Sequence, residues 1–320
     1  MTDKPTILVA GAGTMGNSIA HVFAANGYPT YMSSRHQETL DQALERIDAA
    51  VAVLKAEGMA DDAYEAALRD NLQAIHFDEI PHIAQKVDVV FESVVEDPGA
   101  KRDLYHMLDE TCRPDCIFAS NTSGMDVFSV CKGAVDHMDR LVIAHWFNPP
   151  HLMKLVEVVR GPETSDATVE RMCALLEEVG RKPAVLNVFV PGFIVNRLAT
   201  VINRELYHMI DQGWVGAADA ENAIKYTHGL RFGFEGPIEL WDFVGLNIPM
   251  TVARGGVLAS LCNDADTLPL GERLVAEGKT GVRAGEGALK YGDADEYVQK
   301  RSRRVIQMTK VVEEWDREDA

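Results

Sequence analysis

The chain is poor in cysteine: five in 320 residues, at Cys112, Cys116, Cys131, Cys173 and Cys262. The number is odd and no spacing suits zinc, so a disulfide scaffold and a structural zinc site are both excluded and no metal is expected. Five reduced thiols suit a cytoplasmic protein. Long apolar runs are missing too: none approaches the ~20 residues that a membrane span needs. The opening Met1-Thr2-Asp3-Lys4-Pro5 has no feature of a signal peptide. Positive charge is scarce, with 31 Lys and Arg against 49 Asp and Glu and a net charge of −18. No basic run carries interleaved aromatics. Nucleic acid and anionic membranes are therefore excluded as partners. Internal repeats and low-complexity tracts are also absent.

What is present is length enough for two domains. Strand-like segments at 6–10, 29–33, 71–76, 88–94, 117–120, 141–147, 154–160 and 183–188 alternate with helical patterns. Such alternation predicts a mostly parallel, doubly wound sheet. The stretch 37–70, broken at Glu57-Gly58-Met59-Ala60-Asp61-Asp62, predicts a helical hairpin with Asp61 or Asp62 capping its second arm. Beyond Phe189-Val190-Pro191-Gly192-Phe193 the strand signals stop and apolar residues recur at helical spacing. The expected domains are thus 1–188 and an all-helical 189–320, the latter broken at Gly213, Gly229, Gly236-Pro237 and Pro269-Leu270-Gly271. The tail from Glu296 to Ala320 reads as an amphipathic helix packed on its own domain or on a partner subunit.

The first strand runs into Gly11-Ala12-Gly13-Thr14-Met15-Gly16 and then a helix. Gly11 permits the turn, Gly13 lets the backbone approach a pyrophosphate, and Gly16 allows helix and strand to pack closely. Free N–H groups at the helix start, near Thr14 and Met15, suit phosphate. The pattern predicts a Rossmann-type dinucleotide site; a Gly-rich turn without a ligand is the alternative. An NAD site would end its second strand in a carboxylate for the ribose 2′-hydroxyl. Here Ser34 and Arg35 stand there instead, which favours NADP over NAD. Arg35 has a second reading, stacked on the adenine or turned to solvent.

His145 closes the apolar run Leu141-Val142-Ile143-Ala144, and Glu157 lies within Leu155-Val156-Glu157-Val158-Val159. Two neighbouring strands could bring imidazole and carboxylate into hydrogen-bond reach. That pair moves protons near neutral pH, the carboxylate fixing the tautomer and stabilising the cation. A structural histidine, and an ion-pair role for Glu157 with Lys154 or Arg160, are the alternatives.

Together the Gly-rich turn, Ala119-Ser120-Asn121-Thr122-Ser123, His145 with Phe147-Asn148-Pro149, Met153-Lys154-Leu155-Val156-Glu157-Val158, Pro191-Gly192-Phe193-Ile194-Val195-Asn196-Arg197, Gly236-Pro237-Ile238-Glu239-Leu240 and Gly281-Val282-Arg283-Ala284-Gly285-Glu286-Gly287 span nearly the whole chain. In these motifs it resembles the L-3-hydroxyacyl-CoA dehydrogenase family, including branches that act on free hydroxy acids. The resemblance implies a dinucleotide-binding domain and a helical domain forming a homodimer. It implies reversible hydride transfer between the nicotinamide and C3 of a 3-hydroxyacyl group. His145 would be the general base and Glu157 its partner. Ser123 and Asn196 would hydrogen-bond substrate oxygens, and Asn148 would position nicotinamide or substrate. Glu96 and Lys101 would line the cofactor side of the cleft. Ser123 as a plain turn residue and Asn196 as a locally bonded helix residue are the alternatives.

Three departures bear on the substrate. Ser34-Arg35 replaces the acidic residue. The hairpin turn, acidic with only Lys55 nearby, lacks the lysines that meet coenzyme A phosphates. Arg283 stands where the family often has Lys and could clamp a substrate carboxylate, or be a solvated loop charge. A dehydrogenase of a free hydroxy acid or alcohol is one alternative; a non-catalytic dinucleotide-binding protein, as among lens crystallins, is another.

Overall fold

A computed structural model describes residues 4–263 and 268–318, without the side chains of residues 315 and 316. Residues 1–3 of the expected leaderless start, and the last two residues of the expected tail helix, lie outside the described residues. The chain divides into two compact units, Met1–Val195 and Asn196–Ala320. The sequence had placed this boundary after residue 188.

In the first unit eight strands form one sheet in the order β3-β2-β1-β4-β5-β6-β7-β8. They are β1 Ile7–Ala10, β2 Thr30–Ser34, β3 Leu72–His76, β4 Val89–Glu92, β5 Ile117–Ser120, β6 Leu141–Trp146, β7 Leu155–Arg160 and β8 Lys182–Leu186. Strands β1 to β6 are all parallel; β7 turns back, antiparallel to β6, and β8 runs parallel to β7. The β1, β4 and β5 strands are buried along their whole length, so each reads as a continuous apolar run, closed in β4 by Glu92 and in β5 by Ser120, rather than as an alternation.

Helices cover both faces. They are α1 Thr14–Ala25, α2 Gln37–Ala56, α3 Asp62–Asn71, α4 Ile80–Ile83, α5 Pro98–Thr111, α6 Val127–Cys131 and α7 Asp166–Glu178. The pair α2 and α3 is the expected hairpin. Asp61 caps α3 by accepting the Tyr64 N–H at 2.8 Å. One core cluster packs around Phe23, Phe91 and Trp146, the other around Tyr105, Phe118 and Phe128.

The second unit is helical, opening with α8, Val195–Asp211. Among its described residues the only β pairings are isolated bridges at Gly281, Glu286 and Lys290. Gly213 ends α8 with a left-handed φ of 72°. The expected break at Gly229 does not occur: helical structure runs from Ala217 to Arg231, with a π segment at Ile224–His228. A single glycine costs only about 1 kcal/mol in a helix, which neighbouring turns outweigh. Pro237 and Pro269 each open a helix rather than interrupt one. The tail helix spans Ala294–Glu318 and buries Ile306 completely. No described helix is long and apolar enough to cross a membrane. All five cysteines are free.

Candidate active site

The first unit gathers its unusual side chains at the carboxyl edge of the parallel strands, where open α/β sheets bind ligands. At the end of β1, Gly11 has φ +114°, and a Cβ there would sit 2.3 Å from the Ser93 carbonyl oxygen. A Cβ on Gly16 would meet the Gly11 carbonyl oxygen at 1.8 Å. These two glycines let β1, the β4 loop and α1 close on one another. Gly13 is different: nothing lies within 4 Å of its would-be Cβ. Its backbone is open to a ligand at the N-terminus of α1, where Gly13 is the cap residue and no side chain bonds the first N–H groups. Thr14 is exposed and Met15 half-buried in that first turn. This arrangement fits a pyrophosphate held by backbone N–H groups.

Beside it lies a cavity of about 340 Å³ lined by Gly11, Gly13, Ser34, Arg35, His36, Thr39 and Phe77 on one side and Ser93, Val94 and Val95 on the other. None of its lining residues is acidic. The Arg35 guanidinium stacks 4.9 Å above the Phe77 ring. His76 Nε2 donates to the Arg35 carbonyl at 2.7 Å, fixing the backbone at the end of β2.

His145 and Glu157 are direct cross-strand partners of the antiparallel β6–β7 pair. On a pleated sheet such partners share a face. His145 Nδ1 lies 2.8 Å from Glu157 Oε2. The other carboxylate oxygen, Oε1, accepts the N–H groups of Ile194 and Val195, each at 2.8 Å. Burial pushes the Glu157 carboxyl up, but the His145 bond and the two backbone donors outweigh it and hold it below the ordinary carboxylate range. An ionised carboxylate only accepts, so Nδ1 carries the proton and Nε2 bears the free lone pair. Phe147 and Phe193 pack against the imidazole at 4.6 and 5.4 Å between ring centres. Phe193 holds this place from a left-handed backbone, φ 49°, directly after Gly192 at φ 76°. The ion-pair alternative for Glu157 fails for Arg160, which pairs with Asp166.

Ser123 follows β5. Its N–H donates to Glu96 Oε1 at 3.1 Å, and Thr122 Oγ1 donates to the same oxygen at 2.7 Å. Asn121 ties this turn to the neighbouring strand by accepting the Trp146 N–H at 2.9 Å, one residue past His145. The Lys101 side chain is 1 % exposed, and its ammonium sits 2.7 Å from Glu92 and 3.1 Å from Glu96. It is turned inward on these carboxylates, next to the half-exposed Glu96. Asn148 is exposed in the loop after β6. Asn196 is in the first turn of α8, and Arg283 is exposed on the short turn Val282–Ala284; both belong to the second unit. Among the described residues no group of three or more His, Cys, Asp or Glu side chains is placed to hold a metal ion.

Sequence reasoning missed several polar residues. Glu92 lay unremarked inside the expected 88–94 strand, yet its carboxyl group is fully buried, 2.7 Å from the Lys101 ammonium. His21 was hidden in the apolar face of α1. It stacks on His151 at 5.5 Å and meets the Tyr64 hydroxyl through Nε2 at 2.9 Å. His151 Nδ1 in turn bonds Ser18 Oγ at 2.7 Å. The signal for this cluster was a histidine at a buried helical position, which periodicity alone treats as noise.

Comparison with known proteins agrees with the geometry. The family profile described as 3-hydroxyacyl-CoA dehydrogenase, NAD binding domain, matches residues 6–188. The profile for the C-terminal domain of the same family matches residues 192–291. The chain therefore belongs to the 3-hydroxyacyl-CoA dehydrogenase family of NAD-dependent oxidoreductases. It is 31% identical over 289 residues to human mitochondrial hydroxyacyl-coenzyme A dehydrogenase, covering 89% of this chain and 90% of that one. It is 28% identical over 310 residues to the 5-formyl-3-hydroxy-2-methylpyridine 4-carboxylate 5-dehydrogenase of Mesorhizobium japonicum, covering 96% and 98%. A crystal structure of a dehydrogenase of that name, described as an NAD+-dependent dismutase, matches with a TM-score of 0.86 at 27% identity over 97% and 99% of the two chains. A 3-hydroxybutyryl-CoA dehydrogenase from Ralstonia eutropha matches with a TM-score of 0.74 at 26% identity, over 91% and 100%.

Proposed function

We propose that this protein oxidises and reduces a secondary or primary alcohol carbon of a small carboxylic acid, with His145 as the general base. The bound dinucleotide would supply a nicotinamide that takes up or returns hydride. The chain's own residues handle the proton. His145 Nε2 takes the hydroxyl proton as the carbon loses hydride, and Glu157 stabilises the imidazolium through Nδ1–H. Ser123 and Asn196 donate to the substrate oxygen that gains charge, and Asn148 helps to position substrate or nicotinamide. The observation that carries this reading is the 2.8 Å bond between His145 Nδ1 and Glu157 Oε2, which leaves Nε2 as the basic atom.

The hairpin supports a reading of the carrier. Its one nearby lysine, Lys55, is held by Asp62 at 2.6 Å and by Glu65 at 2.9 Å. Carboxylates beside a lysine already paired offer nothing to the phosphates of coenzyme A and would repel them. A free hydroxy acid, or the aldehyde it forms, is the better substrate class. Similarity over 98% of a pyridine-carboxylate dehydrogenase supports it. A 3-hydroxyacyl-CoA is the second reading, favoured by the relatives named for that activity. For the cofactor, Ser34 and Arg35 in a cavity with no acidic lining favour a 2′-phosphate, hence NADP over NAD.

A spectrophotometric screen tests carrier and cofactor together. NADH and NADPH are each paired with acetoacetyl-CoA, with free 3-oxo acids and with aromatic formyl-carboxylates. Turnover of a free acid with no turnover of acetoacetyl-CoA is the expected result; the reverse pattern would refute the carrier assignment. In the Arg35→Ala variant NADPH should weaken about tenfold more than NADH, the scale of one charge-assisted contact. Equal weakening would remove the basis for the NADP preference.

The protein acts as a homodimer through its second unit. None of the 17 residues of α8 is buried, and Leu198, Val201 and Ile202 are 56%, 54% and 42% exposed. Trp241, Phe243 and Ile248 are exposed in the same unit. Apolar exposure on this scale marks an interface. Sedimentation velocity should give twice the 35.2 kDa chain mass; a monomer at micromolar concentration would contradict it.

A further inference from the structure

Asn148 is exposed on the loop that joins β6 to β7. A group that positions nicotinamide or substrate has to be held within about 0.5 Å, and loops are the more mobile parts of a fold. This loop is fixed from its inner side. The Leu152 and Met153 N–H groups both donate to the Pro149 carbonyl at 3.0 Å, which closes it into a turn. Arg181, just ahead of β8, donates to the Pro150 carbonyl at 3.1 Å and to the Met153 carbonyl at 3.2 Å. Between these two points His151 is tied to α1. Ser18 Oγ accepts the His151 N–H at 3.2 Å and lies 2.7 Å from His151 Nδ1.

A hydroxyl both donates and accepts, so one serine holds the backbone and the ring of the same residue. Ser18 is buried, and the buried His21 ring stacks on His151 at 5.5 Å. Burial, then Arg181, keeps His151 neutral at neutral pH, so the contact carries no charge that would draw it into water. Apolar packing would bury the same surface but would let the loop slide. Two hydrogen bonds to one buried oxygen fix its register.

The place of the anchor gives it a use. Gly13 caps the start of α1 and leaves its backbone open to a ligand. Ser18 lies five residues further along that helix, about 7.5 Å at 1.5 Å per residue. One rigid helix therefore carries both the phosphate end of the site and, through His151, the loop that bears Asn148.

We infer that Ser18 and His151 are positioning residues for Asn148: their two bonds index the β6–β7 loop against the helix that faces the pyrophosphate, and so hold the Asn148 amide in register with the nicotinamide end of the same dinucleotide. This rests on the reading of Asn148 given above. Both residues act through Asn148, away from the reacting atoms.

A double-mutant cycle on the full chain tests it. Single-turnover rates are measured with the best substrate of the screen above and with cofactor at saturation, so that a change in cofactor affinity does not enter. Ser18→Ala should lower the rate about tenfold with Asn148 present and less than about twofold in an Asn148→Ala background. His151→Leu, which cannot bond the Ser18 hydroxyl, should show the same dependence on Asn148 and serves if Ser18→Ala does not fold. A merely structural role would lower the rate equally in both backgrounds. That result, or a Ser18→Ala enzyme with the native rate, would overturn the proposal while leaving Asn148 in place. An Asn148→Ala enzyme with the native rate would instead remove the reading of Asn148, and this inference with it.

Discussion

His145→Gln should lower kcat about 10³-fold while NADPH and NADH still bind within a factor of a few of their native affinities. Glutamine fills much of the imidazole's space between Phe147 and Phe193 but has no basic nitrogen to take the hydroxyl proton. The dinucleotide pocket is lined by residues from the ends of β1 and β2, the β4 loop, α5 and Phe77, and none of its lining residues belongs to β6. Binding and chemistry should therefore separate cleanly. Rapid-quench or single-turnover measurement with saturating cofactor reads the chemical step, and fluorescence titration reads binding. A variant with more than about a tenth of the native kcat would show that the proton leaves by another route.

Acid should destabilise the first unit well above the pH at which its carboxylates protonate. His21 is fully buried, and burial, then His151 and Arg181, lower its pKa to about 3. His151 is lowered to about 4, by burial and then Arg181. The unfolded chain protonates both near 6.5. The folded chain stays neutral at these sites, so stability is full above pH 6.5 and falls as pH drops below it. Each imidazole removes about 1.4 kcal/mol per pH unit until its folded pKa is reached, or roughly 3 kcal/mol by pH 4.5. The carboxylates held low, Glu96 and Glu157, act only below their ordinary pKa, outside that window. Urea unfolding between pH 7 and pH 4.5 should show the slope. His21→Gln, which keeps a partner for the Tyr64 hydroxyl, should remove about half of it. A pH-independent midpoint over this range would mean that these imidazoles are not held neutral by the fold.

The parallel sheet and its order of elements were legible because local chemistry repeats along the chain. Each central strand is a short, largely apolar run, and each lies within a residue or two of its expected bounds. The glycine spacing carries its own steric reason: only a missing Cβ allows Gly16 to lie against the Gly11 carbonyl. Asp61 announced the second arm of the hairpin as a side-chain cap. All of these depend on neighbours a few residues away.

The relations that decide chemistry span distances the chain does not encode locally. That His145 and Glu157 face each other, and not away, depends on the antiparallel register of β6 and β7; a slip of one residue would put them on opposite faces. That Lys101 points into the protein depends on Glu92, nine residues away, being carried to the same buried spot by β4. His21 and His151 meet across 130 residues because α1 packs under the loop after β6. Periodicity and turn chemistry act through covalent neighbours, so the order of elements and the dinucleotide loop could be read from the residues alone. Register, burial of charge and the partner each polar group finds arise only when distant segments desolvate one another, and these the folded chain had to decide.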